Sequence, residues 1–307
     1  MKKRCEMMVV SRYTKYDVGV SDVFVKEVKE ALELFKPDIV YANGFLVADM
    51  VLNLFRNVVY DMGSFMARNA LVELWGHRYY RILGEKPERL RDEVLKSRGE
   101  VLLRREWRVF KDAKAVISWE GGEAELAKKL YGDNGNIREI SMMFYKLPEP
   151  IPFGAKKKRA MTIVVKCGKK GKNISLCQRV KDSAKFPLLP VGVGGKTWRS
   201  SVPHDWLMNE LNQSRVYFTP FLCGGIGSVV EALKLGCNVI AYSWYPFLNY
   251  INDELIIEDN ERDNVVYRGA EFIEKAMEQY YPLKKPLPTE KEQLDRLFKV
   301  FEEIYER

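Results

Sequence analysis

Residues 218–233 read Phe218-Thr-Pro-Phe-Leu-Cys-Gly-Gly-Ile-Gly-Ser-Val-Val-Glu231-Ala-Leu233. Residues 216–219 predict a strand, Gly224, Gly225 and Gly227 a tight loop, and residues 229–235 a helix closed by Gly236. Glycines let backbone approach a ligand closely, and the first N–H groups of the helix, around Ser228 and Val229, lack intrahelical acceptors. A helix end of this kind binds phosphate. Glu231 lies about one turn into the helix, within reach of a ribose hydroxyl when a diphosphate occupies the end. Alone, a strand, glycine loop and helix are also a frequent tight turn, so the flanking sequence has to decide.

Upstream, residues 161–165 predict a strand running into Lys166-Cys-Gly-Lys-Lys-Gly-Lys172, and residues 173–181 a helix. Lys166 and Lys172 are placed to neutralise a leaving diphosphate, while Lys169 and Lys170 read as solvated. Fixed cations where charge gathers lower a barrier electrostatically, without a metal. The loop belongs to a wider cationic segment. From Lys156 to Lys185, eleven basic residues stand against one acid, Asp182, a net +10 in a chain of net +8, so the remainder sums to −2. Such a segment predicts an anionic partner: a phosphorylated ligand, nucleic acid or a lipid headgroup. Lys156 to Arg159 read equally well as a solvated linker.

Working outward, the second half alternates strands (188–193, 216–219, 239–242) with helices (205–212, 229–235), and two helices end the chain. The last opens with Thr289-x-x-Glu292, a capping-box pattern. The first half predicts a helix over 21–36, with Ser21 as N-cap and Phe24, Val28, Ala31, Leu32 and Phe35 at helical spacing before Pro37. Strands follow at 39–41, 58–60, 115–119 and 137–143, and a helix over 123–131 ends at Gly132. Residues 64–112 are helical and charged, with Leu103, Trp107 and Phe110 on one face. That face packs on a core or, as the lesser reading, rests on anionic membrane. Pro148, Pro150, Pro152 and Gly154 mark a linker. The fold class is therefore α/β, with two Rossmann-like domains facing across a cleft. Residues 1–150 form the first domain, 151–280 the second, and 281–307 a terminal helical segment packing back toward the first.

Other classes are excluded or demoted. At 47% apolar residues over 307 positions the chain is no disordered protein. No apolar run approaches the ~18 residues a membrane span needs, and the opening is too polar for a signal peptide, which predicts a cytoplasmic protein, with peripheral contact at the inner membrane face as a variant. Cys5, Cys167, Cys177, Cys223 and Cys237 are scattered without a C-x-x-C pair and read as reduced thiols. Only His77 and His204 are present, too few for a histidine-rich metal centre, and both read as structural or surface residues. Gly192-Val-Gly-Gly-Lys-Thr197 looks like a P-loop, but Pro190 occupies its first glycine position, so Gly194 and Gly195 read instead as a cleft loop that admits the ligand. A nucleic-acid module lacks a recognition helix, zinc-finger spacing or an aromatic ribonucleoprotein signature and stays as an alternative only.

Together the basic loop after 165, the glycine loop after 219 and the alternating tail resemble the donor domain of retaining glycosyltransferases of the GT-B fold, of the family-four type. The stretch 112–132 resembles the end of that family's acceptor domain, and Pro37-Asp-Ile-Val-Tyr-Ala-Asn-Gly44 its earlier strand. The resemblance implies that Lys166 and Lys172 hold a nucleotide diphosphate, that Glu231 is the second acid of an E-x7-E motif and takes the ribose, and that Gly19 belongs to the first loop. Two positions depart from the pattern. The first acid falls on Cys223, whose thiol cannot replace a carboxylate as acceptor for sugar hydroxyls. The family's histidine after the strand ending at Tyr60 is missing, leaving Asp61 as the nearest polar candidate on the acceptor side, with an exposed turn aspartate as its plainer reading. The implied activity is hexosyl transfer, with retention, from a nucleotide-diphosphate sugar to a glycan, lipid or protein acceptor, needing no cofactor and no metal. A catalytically silent relative that binds the nucleotide sugar is the alternative.

Overall fold

The computed structural model describes residues 9–10, 24–25, 28–62, 67, 70–71, 74, 84–118, 121–140, 147–164, 174–192, 202–220, 226–243, 248–258 and 265–306. Near the start, β1 (Val9–Val10) and β2 (Phe24–Val25) pair in parallel, and α1 spans Val28–Phe35. The expected helix over 21–36 is thus corrected at its front. Phe24 keeps helical spacing to Val28, but β-branched Val25 and its pairing with Val10 prevail. There follow β3 (Val40–Asn43), α2 (Phe45–Leu52), β4 (Val58–Asp61), α3 (Pro87–Asp112), β5 (Ala115–Ser118), α4 (Gly121–Tyr131) and β6 (Ile137–Glu139). Strands β3, β4, β5 and β6 lie side by side in that order, all parallel.

Every residue of β4 and β5 is buried, as a parallel sheet covered on both faces requires. One face packs Val58, Tyr60 and Val116 with Phe45, Val109 and Leu126 of the helices. The stripe expected on α3 is split. Phe110 is core, its ring 5.5 Å from Tyr60 and 4.8 Å from Tyr131, whereas Trp107 stands outside with Lys111 over its ring. Arg105 and Arg108 of the same helix are engaged by buried Asp49 of α2, so part of its basic face is neutralised from within.

The second unit contains β7 (Lys157–Val164), α5 (Ile174–Ser183), β8 (Leu188–Gly192), α6 (His204–Asn212), β9 (Ser214–Thr219), α7 (Ile226–Lys234), β10 (Asn238–Tyr242), β11 (Ile256–Ile257) and α8 (Val265–Glu278). Its strands are parallel in the order β8-β7-β9-β10-β11, with Met161, Tyr217, Phe218, Ile240 and Tyr242 at the centre of the core. The strand order reverses between β7 and β9. In open α/β sheets such a reversal opens a crevice at the carboxyl ends of the two strands, where ligands bind.

Lys156 to Arg159 form no solvated linker. Lys156 is buried, and its ammonium donates to the Asn212 carbonyl; burial holds its pKa below the usual lysine range. The next three residues begin β7, where Lys158 pairs with Glu278 at 3.0 Å and Arg159 with Glu210 at 2.7 Å. Lys185 likewise pairs with Glu274 at 3.0 Å. These charges answer acids and carbonyls of the same unit.

The chain ends with α9 (Glu290–Tyr305), which starts on the anticipated capping box between Thr289 and Glu292. Its Leu297, Val300 and Ile304 pack on Val59, Ala115, Ile117 and Ile140, the second face of the first sheet, and Phe301 meets Tyr41 edge to face at 6.5 Å. Arg138 and Glu303 add an ion pair at 3.4 Å. Among the described residues no helix is long and apolar enough to cross a membrane.

Packing in the second unit is close where α8 crosses α5. A Cβ on Gly269 would come within 2.9 Å of both the Tyr242 hydroxyl and a Val180 methyl, and both residues are fully buried. Gly269→Val is expected to cost about 1–3 kcal/mol by overpacking, against which valine's helix propensity returns only a few tenths. Denaturant titration should show a lower midpoint at unchanged slope.

Candidate functional site

The site builds from the carboxyl ends of β7 and β9. Met161 lies opposite Tyr217, so Val164 at the end of β7 is level with the end of β9 at Thr219 and Pro220. The basic loop leaves from the first of these points and the glycine loop from the second. Both loops therefore start side by side at the point where the strand order reverses.

Helix α7 begins at Ile226, three residues ahead of the expected start, and ends before Gly236, whose φ of 70° suits the glycine placed there. Among the described residues, a Cβ on Gly227 would meet no atom within 4 Å. Ser228 is half-buried, its hydroxyl 2.7 Å from the Tyr217 hydroxyl, and burial pushes that phenol far up. Val229 is buried in the core. Ser228 and Val229 thus offer main-chain N–H groups in the first turn, while their side chains anchor the helix to β9 and the core.

Glu231 sits one turn further along, 6% exposed. Burial raises its pKa, and a hydrogen bond and charge from His204 pull against that rise. The partner is His204 at the start of α6, with Nε2 3.2 Å from Glu231 Oε1. Sequence reasoning assigned His204 no role. The only local signal was a histidine just behind Pro203, at a helix start, and nothing in the chain's periodicity ties it to a residue in the next helix.

Asp61 is corrected: it is no exposed turn residue. It closes β4, is 1% exposed, and its Oδ2 accepts from Tyr41 Oη at 2.6 Å and Asn43 Nδ2 at 3.1 Å. Burial and the Asp61 charge push the Tyr41 phenol far up, so it remains a donor. Asp61 therefore stands in a polar cluster at the carboxyl end of the first sheet, on the face that α9 covers. Lys166, Lys172, Gly194, Gly195, Cys223, Gly224, Gly225 and Gly19 lie outside the described residues. What the structure brings together is Gly227, Ser228, Val229 and Glu231, with His204 added.

No protein-family model matches the sequence, and no curated protein matches it. Solved structures do. Sucrose-phosphate synthase from Thermosynechococcus elongatus is similar with a TM-score of 0.61 at 14% identity, over 90% of this chain and 76% of that one. TarM is similar with a TM-score of 0.55 at 14% identity, over 89% of this chain but 57% of that one. Anabaena HepE, solved in complex with UDP-glucose, gives 0.53 at 11% identity, over 91% and 81%. At such identities the likeness is one of architecture: this chain has the α/β fold of two Rossmann-like units found in GT-B glycosyltransferases.

Proposed function

We propose that the protein is a glycosyltransferase that moves a sugar from a nucleotide-diphosphate donor to an acceptor held by its first unit, with retention at the anomeric carbon. The observation that carries this reading is the adjacency of the β7 and β9 ends, which starts a cationic loop and a glycine loop from one reversal point of a doubly wound sheet. The HepE complex with UDP-glucose supports a nucleotide sugar as ligand class.

In this reading Lys166 and Lys172 stabilise the departing diphosphate, the first turn of α7 with Gly224, Gly225, Gly227, Ser228 and Val229 binds it, and Glu231 takes the ribose. Gly194 and Gly195 admit the donor, and Gly19 and Asp61 belong to the acceptor side. The lysines carry the charge that a metal would otherwise meet. A front-face displacement suits the residues present, because the sugar-side position holds Cys223 and no carboxylate stands there as nucleophile. Residues 1–150 and 151–280 act as acceptor and donor domains, and 281–307 ties the second back to the first.

The substitution at Cys223 favours one rival, a protein that binds the nucleotide sugar without transfer. Thermal shifts with uridine, guanosine and adenosine diphosphates, followed by hydrolysis of the matching sugar donors, separate the readings. Stabilisation by one diphosphate together with sugar release is expected. Stabilisation without release identifies the silent binder. No stabilisation, with salt-dependent retention on DNA that diphosphates do not compete, overturns the proposal in favour of a nucleic-acid partner.

A further inference from the structure

We propose that His204 is a positioning residue for the donor: it fixes the Glu231 carboxylate so that the remaining oxygen faces the ribose diol. The inference rests on the donor-site reading above and adds a residue that neither motif nor resemblance assigns.

The geometry is specific. His204 opens α6 behind Pro203, whose φ of −56° fixes the entry of the chain, and Glu231 projects from α7, the next helix along. The contact runs from Nε2 to Oε1 at 3.2 Å, between a side chain 43% exposed and one 8% exposed. Facing a carboxylate, Nε2 carries the hydrogen and donates. A carboxylate offers two oxygens and about four lone pairs, so one donor from His204 leaves Oε2 and part of Oε1 for hydroxyl groups. Among the described residues the other groups acting on Glu231 are Tyr217 from β9, engaged with Ser228, and Lys234 on α7 itself. His204 is thus the group on the neighbouring helix that both orients the carboxylate and opposes its desolvation.

Electrostatics give the sign. Burial raises the Glu231 pKa; the His204 hydrogen bond and charge, then Lys234, lower it. Without His204 the carboxyl group should protonate at higher pH. A protonated acid gives up the charge-assisted bonds it would accept from a diol.

The test measures affinity of the full-length protein for UDP, 2′-deoxy-UDP and 3′-deoxy-UDP by calorimetry between about pH 5 and 8, with GDP and ADP in parallel as controls for the base. The wild type should prefer a ribonucleotide over at least one deoxy analogue, and Glu231→Gln should abolish that preference. His204→Ala should weaken the preference about tenfold, the equivalent of one hydrogen bond to a charged group, and move the acid limb of affinity to higher pH. His204→Gln keeps a neutral donor, so it should restore the preference at neutral pH but leave the acid limb displaced. Equal losses for ribo- and deoxynucleotides in His204→Ala would mark a merely structural role and overturn the inference, as would an unchanged preference and acid limb. If the wild type binds none of the three diphosphates, the donor-site reading itself falls, and this role with it.

Discussion

Alanine at position 172 is expected to lower sugar transfer by about two to three powers of ten while leaving the melting temperature unchanged. The size follows from what removal of one preorganised charge-stabilising group does to a reaction that builds negative charge on a leaving group. In sequence Lys172 belongs to the cationic run and comes two residues before Ile174, the first residue of α5. Both features favour a diphosphate there. The cations of this region are not equivalent, and that makes the experiment discriminating. Lys158 already pairs with Glu278 at an exposed site, so Lys158→Ala should leave turnover intact and change stability by no more than about 1 kcal/mol. Equal falls in kcat and kcat/KM for Lys172→Ala would place its interaction in the transition state, whereas a rise in KM alone would place it in donor binding. A variant as fast as the wild type would remove Lys172 from the mechanism.

Much of the second unit was legible because its strands are short apolar runs between strong stops. Residues 216–219 and 239–242 are bounded by Pro220, Gly236 and polar neighbours, and Gly132 and Gly236 take the positive φ that a helix end asks of glycine. What escaped depends on partners remote in sequence. Lys157 to Arg159 look like linker because three charges follow a proline-rich stretch. They become strand because Glu278 and Glu210 come from helices the local pattern cannot see. Asp61 looks like an exposed turn because it precedes Met62-Gly63. It is buried because Tyr41 and Asn43 on the adjacent strand supply its hydrogen bonds. Phe24 fits a helix by spacing until Val9 and Val10 offer it and Val25 a strand partner. In the candidate site the same division holds: the glycine loop and Glu231 are visible as a local pattern, whereas the bond to His204 exists only once α6 and α7 are packed.

The second large effect is expected at Val300, far from the candidate site. Val300 is 4% exposed in the middle of the α9 face that covers Val59, Ala115, Ile117 and Ile140. An aspartate there forfeits about 1.5–3 kcal/mol of apolar burial and places an unpaired charge against the apolar face, which costs several kcal/mol more. Against a typical domain stability of about 5–15 kcal/mol, Val300→Asp should detach the helix. The first sheet would then stand open on one face, a state that parallel sheets do not tolerate, since their strands are apolar on both sides. Hydrogen exchange should accelerate in β4 and β5, while β9 and β10, whose core lacks α9, keep their protection. Val300→Ala should give a smaller loss of about 1–2 kcal/mol through the cavity it leaves, and Tyr305→Ser, at a position 70% exposed, should change little. Unchanged exchange in β4 and β5 of Val300→Asp would show that the first unit holds its sheet without α9. A chain cut before Glu290 lacks one cover of its own first unit, so the first sheet becomes complete only after the second unit has been made.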